Sequence, residues 1–249
     1  MTGASADPHA QALAEPVGAR ASPTLRPRDA ATLIVLDRSG AMPKVLMGKR
    51  HSGHKFMPGK FVFPGGGVEP GDRAMNVAGA LHGLIEAKLV ARVTGGSISR
   101  ARALALAAIR ETYEETGLAI GVNDMGTPDN PPAGVWAAFA AHGIFPSLEG
   151  LHFIARAITP PGRIKRFDAR FFAIDAREIV HRVDGLITAE SELVELVWQP
   201  LDQVQNLDLP RITSMVLKEL EARIAAGFGH HLPVPFFFEK NRRSFREEL

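Results

Sequence analysis

Glu111, Glu114 and Glu115 stand at i, i+3 and i+4 in the run Arg110-Glu111-Thr112-Tyr113-Glu114-Glu115-Thr116-Gly117-Leu118. On a helix this spacing sets three carboxylates on one face within a single turn. Unpaired, they repel one another and weaken the helix that carries them. A divalent cation removes that penalty, because hard ions take several carboxylate oxygens at once. Arg110 lies four residues before Glu114, within reach of it, and can fix its rotamer. Taken alone, the triplet reads more simply as a solvated acidic patch. The upstream loop Gly65-Gly66-Gly67-Val68-Glu69-Pro70-Gly71-Asp72 changes the balance. A glycine-rich turn lets backbone groups approach a metal or a phosphate, and a diphosphate site needs such a loop ahead of an acidic helix.

The frame around these residues reads as one α/β domain over 30–226, with a flexible tail over 1–29 and an extension over 227–249. Strands are expected at 30–37, 44–50, 60–63, 151–158, 170–174 and 192–198 from apolar and β-branched runs bounded by turns. Helices are expected at 73–93, 100–116, 135–141 and 211–226 from apolar spacing and from stops such as Gly95-Gly96 and Gly117. The chain has no cysteine, which excludes disulfides, zinc-thiolate sites and cysteine nucleophiles. Any metal must then be held by oxygen or imidazole, and an oxygen-rich set suits Mg²⁺ or Mn²⁺. The net charge of +2 provides no global basic field, so nucleic acid is not expected as a partner. No apolar run reaches membrane-spanning length. The first 29 residues lack the hydrophobic segment of a secretory signal, so a cytoplasmic location is expected.

The loop and the acidic run together resemble the signature of the Nudix hydrolases: Gly, five residues, Glu, seven residues, then Arg-Glu-apolar-any-Glu-Glu-any-Gly-apolar. Gly66 matches the signature glycine. Arg110, Glu111, Glu114, Glu115, Gly117 and Leu118 match the second half. At roughly 6% usage per residue type, the five fixed letters recur by chance on the order of once per million positions, so the match is specific. The chain departs from the signature in three places. Asp72 replaces the first Glu, Thr112 takes a usually apolar position, and residues 73–109 stand where the signature has seven. That insertion, about 73–98, is expected to be ordered and helical.

The resemblance implies an α/β/α sandwich with a mixed central sheet, and hydrolysis of a diphosphate linkage in a small nucleotide-like molecule. It implies Glu111, Glu114, Glu115 and the Gly66 carbonyl as ligands of Mg²⁺ or Mn²⁺, with Glu111 and Glu114 also serving catalysis and Arg110 orienting them. The general base is not fixed by the signature. Glu149, Glu190, Glu192 and Glu195 are open, with Glu192 ranked first. A non-catalytic module that binds a nucleotide is the main alternative, although such modules are expected to lose members of the acidic triplet.

Upstream, residues 46–66 are similar to the motif that precedes the signature in coenzyme A diphosphatases. Arg50, Gly59 and Phe63 to Gly66 keep its spacing, while Lys55 replaces an Arg, His51 a Ser and Gly48 a Thr. The resemblance implies coenzyme A or acyl-coenzyme A as substrate, bound by Arg50, Lys55, Gly65 and Gly66. ADP-ribose, NADH and dinucleoside polyphosphates remain open as alternatives. Arg163, Lys165, Arg166 and Arg170 are expected as a solvated basic hairpin. Trp136 and Phe139 are expected in the core, and Phe236-Phe237-Phe238 against the domain or a second subunit of a homodimer.

Overall fold

The computed structural model describes residues 25–54 and 57–249, so most of the expected N-terminal tail, and Lys55, lie outside the described residues. The elements run in the order β1 (Arg28–Asp37), β2 (Lys44–Arg50), β3 (Phe61–Val62), β4 (Gly65–Gly67), α1 (Pro70–Ala74), α2 (Gly83–Val90) and α3 (Ile98–Thr116). They continue with β5 (Leu118–Ile120), α4 (Val135–Ala141), β6 (His152–Ile158), β7 (Phe167–Asp175), β8 (Ile179–Arg182), β9 (Leu193–Pro200), α5 (Arg211–Ala225), β10 (Pro235–Lys240) and β11 (Arg243–Glu248).

A mixed sheet runs β11-β10-β6-β7-β1-β2-β3, with β4 also on β1 and β9 also on β2. β1 is parallel to β7, and β10 is parallel to β6; the other pairs are antiparallel. The alternation of β1 divides the interior in two. Ala31, Leu33 and Val35 face one core with α2, α3 and α4, whereas Ile34 and Leu36 face a second core with Val216, Leu217 and Leu220 of α5. This is the period of two of a strand buried on both faces, and it gives the expected α/β/α layering.

α3 carries the acidic run and is fixed at both ends. The Ser97 hydroxyl accepts the Arg100 N–H at 3.2 Å as an N-cap. Gly117 closes the helix in the left-handed region at φ 76°, and a Cβ there would also lie 2.3 Å from the Val183 carbonyl oxygen. Only glycine satisfies both demands. Ala101, Ala103, Ala105, Ala107 and Ala108 are all buried, so the helix lies close against the sheet.

The insertion into the signature box is ordered but less helical than its periodicity predicts. Residues 83–90 form α2, whereas Ala78 bridges Ser147 and exchanges backbone hydrogen bonds with Pro146 and Leu148. Gly79 turns the chain at φ 65°. Pairing with a distant segment has displaced local helix propensity, which is a weak bias of tenths of a kcal/mol per residue. The far end of α2 is held by Arg156, which donates to the Ala91 and Arg92 carbonyls at 3.2 and 3.3 Å. Lys88 Nζ donates to the His230 and Leu232 carbonyls. The rings of His82, His230 and His152 stack at 4.4 and 4.3 Å. Burial, followed by the neighbouring His230 and Arg223, lowers the His152 pKa to about 4. Where the insertion rejoins the box, Arg102 of α3 donates to the Met75 carbonyl, bringing its two ends together.

Two expectations need correction. Arg170 is not a solvated charge on a basic hairpin. It is fully buried, and its Nη1 bonds Asp29 at 3.0 Å and the Asp168 carbonyl at 2.6 Å. Nor is the stretch over 227–249, expected as an extension beyond the domain, separate from it, since β10 and β11 continue the sheet and Phe237 is buried in the α5 core. Among the described residues, no helix is long and apolar enough to cross a membrane.

Phe237→Ala should therefore lower unfolding free energy by about 3–5 kcal/mol, the usual cost of emptying a buried aromatic position. Urea denaturation measures this. An unchanged midpoint would mean that the C-terminal strands are only appended to the domain.

Candidate active site

The glycine loop is the floor of the site. β4 pairs with β1 through Gly65 opposite Thr32 and Gly66 opposite Ala31. A Cβ at Gly65 would lie 2.6 Å from the Ala31 carbonyl oxygen, and one at Gly66 would lie 2.3 Å from Glu111 Oε1. Any side chain at either position would clash with backbone or with a carboxylate of α3. The Gly65 N–H donates to Glu115 Oε2 at 3.1 Å.

Arg110 organises the acidic face. It is 3% exposed. Its Nε donates to Asp72 Oδ1 at 2.9 Å, its Nη1 to Glu111 Oε1 at 3.0 Å and Glu114 Oε2 at 2.8 Å, and its Nη2 to the Gly67 carbonyl at 2.7 Å. Burial opposes its charge. The hydrogen bond to Asp72, and the charges of Glu111, Asp72 and Glu114, outweigh burial and hold its pKa above the ordinary guanidinium value. Asp72 lies 38 positions away in the chain and is fully buried. It also accepts the Trp136 indole N–H at 3.3 Å and the Glu69 N–H at 2.8 Å. Asp72 therefore acts on Arg110, and the insertion between them does not separate the two. The sequence reading placed Trp136 in the core and missed this contact. The need of a buried indole N–H for an acceptor was the available signal.

Glu111 and Glu115 are partly buried and lack full compensation for their charge. Burial raises the Glu111 pKa to about 7. The Arg110 charge works against this, and the charges of Glu114 and Glu192 add to it. Burial, then the charges of Glu192 and Glu111, raise Glu115 to about 8 against the Gly65 N–H and Arg50. Glu114 is exposed, turned toward Arg110, and raised to a lesser degree by burial.

The opposite wall is built by β2 and β9. Gly48 allows Leu193 close approach, since a Cβ there would lie 2.4 Å from its Cδ1. A register shift at Lys49/Arg50 then sets Arg50 beside Glu192, with Nη2 to Oε1 at 2.7 Å. Of the four open bases, Glu192 is the one whose charge acts on both Glu111 and Glu115. Glu195 faces Lys49 at 3.7 Å, Glu190 is exposed, and Glu149 packs by Gly79. Among the described residues, no three carboxylate or imidazole side chains form a ready metal cage as they stand. Glu111, Glu115 and the Gly65–Gly66 backbone are nonetheless adjacent, and Glu114 lies on the same helical turn, turned toward Arg110.

The raised carboxylates set a pH dependence. The native state keeps these protons up to about pH 7 and 8, whereas the unfolded chain releases them near pH 4.3. Between those limits the native state binds more protons, so stability falls as pH rises. With a chelator present, urea unfolding should show wild-type stability falling between pH 5 and 9. Glu115→Gln, which has no proton to lose, should fall less. Parallel curves for the two proteins would mean that Glu115 titrates normally.

No protein-family model matches the chain, and no curated protein matches it. Solved structures do. A Nudix hydrolase from Alicyclobacillus acidocaldarius is 31% identical, with 80% of this chain and 93% of that one covered and a TM-score of 0.60. RenU, a Nudix hydrolase of M. smegmatis, is 20% identical over 80% and 86% at a TM-score of 0.41. The Nudix domain of Shewanella oneidensis NrtR, solved with ADP-ribose, is 10% identical over 80% and 90% at a TM-score of 0.44. With the glycine loop, the buried arginine and the acidic turn assembled on a fold shared with the Alicyclobacillus enzyme, the chain belongs to the Nudix hydrolases, which act on phosphoric anhydrides.

Proposed function

We propose that this chain is a Mg²⁺- or Mn²⁺-dependent diphosphatase that cleaves coenzyme A or its acyl esters. The observation that carries the metal reading is the pair Glu111 and Glu115, pressed against the Gly65–Gly66 backbone and held protonated to about pH 7 and 8 by burial and mutual charge. An all-oxygen set short of positive charge fits a hard divalent ion. Glu111, Glu114, Glu115 and the Gly66 carbonyl would hold it. Once bound, the ion supplies Lewis acidity toward the diphosphate and lowers the pKa of a water.

The chain's own residues supply the rest. Arg110 fixes Glu111 and Glu114 while Asp72 holds Arg110 in place. Glu192 takes the proton of the attacking water as its oxygen bonds to phosphorus and the bridging P–O bond breaks. The glycine loop lets the diphosphate approach without a side chain intervening. The coenzyme A assignment is supported by the spacing of Arg50, Gly59 and Phe63 to Gly66. In that motif Arg50, and Lys55 outside the described residues, would supply charge to substrate phosphates; the pairing of Arg50 with Glu192 leaves this role chiefly to Lys55.

The deciding experiment is a panel of coenzyme A, acyl-coenzyme A, ADP-ribose, NADH, dinucleoside polyphosphates and nucleoside triphosphates, with products identified by mass spectrometry. Coenzyme A should give 3′,5′-ADP and 4′-phosphopantetheine, and EDTA should abolish turnover. Efficient cleavage of another member with coenzyme A untouched would overturn the substrate assignment and leave the family chemistry standing. Glu115→Gln should lower turnover by at least about 100-fold, the scale of removing a group that stabilises transition-state charge. Near wild-type turnover with added Mg²⁺ would remove Glu115 from the site.

A further inference from the structure

The surroundings of Arg50 are those of a residue that holds another residue. Its side chain is only 13% exposed, and its Nη2 lies 2.7 Å from Glu192 Oε1 and 3.4 Å from His54 Nδ1. Nε is buried with no hydrogen-bond partner among the described residues. The backbones of both partners are locked in register. The Arg50 N–H donates to the Lys60 carbonyl at 2.9 Å, and the His51 N–H donates to the Glu192 carbonyl at 3.0 Å. Leu193 is seated against Gly48.

Glu192 is about half exposed, with a side-chain exposure of 46%, so packing does not hold it. It lies beside Glu111 and Glu115, and whenever these are ionised they would drive a free carboxylate out into water. Arg50 is the cation that both pairs with Glu192 and acts favourably on Glu115. For Arg50 to turn to a substrate phosphate it would have to release Glu192, leaving that carboxylate unpaired beside two others.

We propose that Arg50 is a positioning residue, whose ion pair holds the Glu192 carboxylate at the acidic face of α3. It follows that Arg50 serves turnover more than substrate recognition. This rests on Glu192 being the base.

The test is a double-mutant cycle in the full chain with Mg²⁺, read as separate kcat and KM on the panel member that is cleaved fastest. Glu192→Gln should lower kcat by about 100- to 10,000-fold, the range for losing a general base. Arg50→Ala should lower kcat by at least about 10-fold, with KM within about 3-fold of wild type, because positioning acts on the reacting complex. In the Glu192→Gln background the same change should alter kcat by less than about 3-fold, as expected for residues acting as a unit. Arg50→Lys, which keeps a charge without the fork, should fall between wild type and Arg50→Ala, and serves if the alanine variant does not fold. With a chelator present, Arg50→Ala should lower Tm, and adding Glu192→Gln should restore part of it. A raised KM with kcat retained would overturn the proposal and return Arg50 to substrate binding. Full additivity in the cycle would break the link between Arg50 and Glu192 while leaving Glu192 as base. Wild-type kcat in Glu192→Gln would instead sink the base assignment, and the positioning role with it.

Discussion

The buried ion pair between Arg110 and Asp72 is the contact on which the rest of the site depends. Two charges taken out of water are tolerated only when well paired, and removing one partner of such a pair costs about 3–5 kcal/mol. Here the guanidinium also reaches the Gly67 carbonyl, Glu111 and Glu114, and the carboxylate also takes the Trp136 indole and the Glu69 N–H. One pair thus joins the glycine loop, α1, α3 and α4. Its strength lets α3 carry three carboxylates on one turn without fraying, because part of their charge is answered from below.

The unanswered part is where the proposed metal would act. Glu111 and Glu115 are kept near each other and near Glu192 by backbone constraints that none of them controls: the pairing of β4 with β1, the left-handed close of α3 at Gly117, and the bulge that sets β9 on β2. Rigid elements hold groups that would separate if free. Such electrostatic pre-organisation costs stability in the empty protein and is available as binding energy for a cation.

Much of this was legible in the chain. The acidic turn, its helix, the glycine loop and the apolar run of β1 follow from spacing and composition, while the division of β1 between two cores does not, and 44–50 and 135–141 are strand and helix as read. The insertion was legible as ordered but not in form. Its apolar positions at 77 and 81 fit a helix, yet Ala78 pairs with Ser147, a partner that no local pattern announces. β10 and β11 were missed because Phe236-Phe237-Phe238 gives hydrophobicity without a partner, and the partner strand β6 lies about 80 positions earlier. Arg170 read as a surface charge because Asp29 and Asp168, which surround it, come together only when β1 and β7 pair. In each case the decisive contact is distant in sequence.

Because Arg102 clasps Met75, the chain leaves the box and returns to it at nearly the same point in space. Closing a flexible loop grows costlier only with the logarithm of its length, about 0.6 kcal/mol for each doubling. The distance between the two halves of the motif is therefore fixed by side chains, while the number of residues between them is nearly unconstrained. In engineering terms this marks a graft point, provided that a module replacing residues 76–96 leaves the Ser97 cap in place and restores the core packing of Leu81, Ile85 and Leu89. A pattern defined by fixed spacing loses the motif at residue 73, although the atoms that matter still meet.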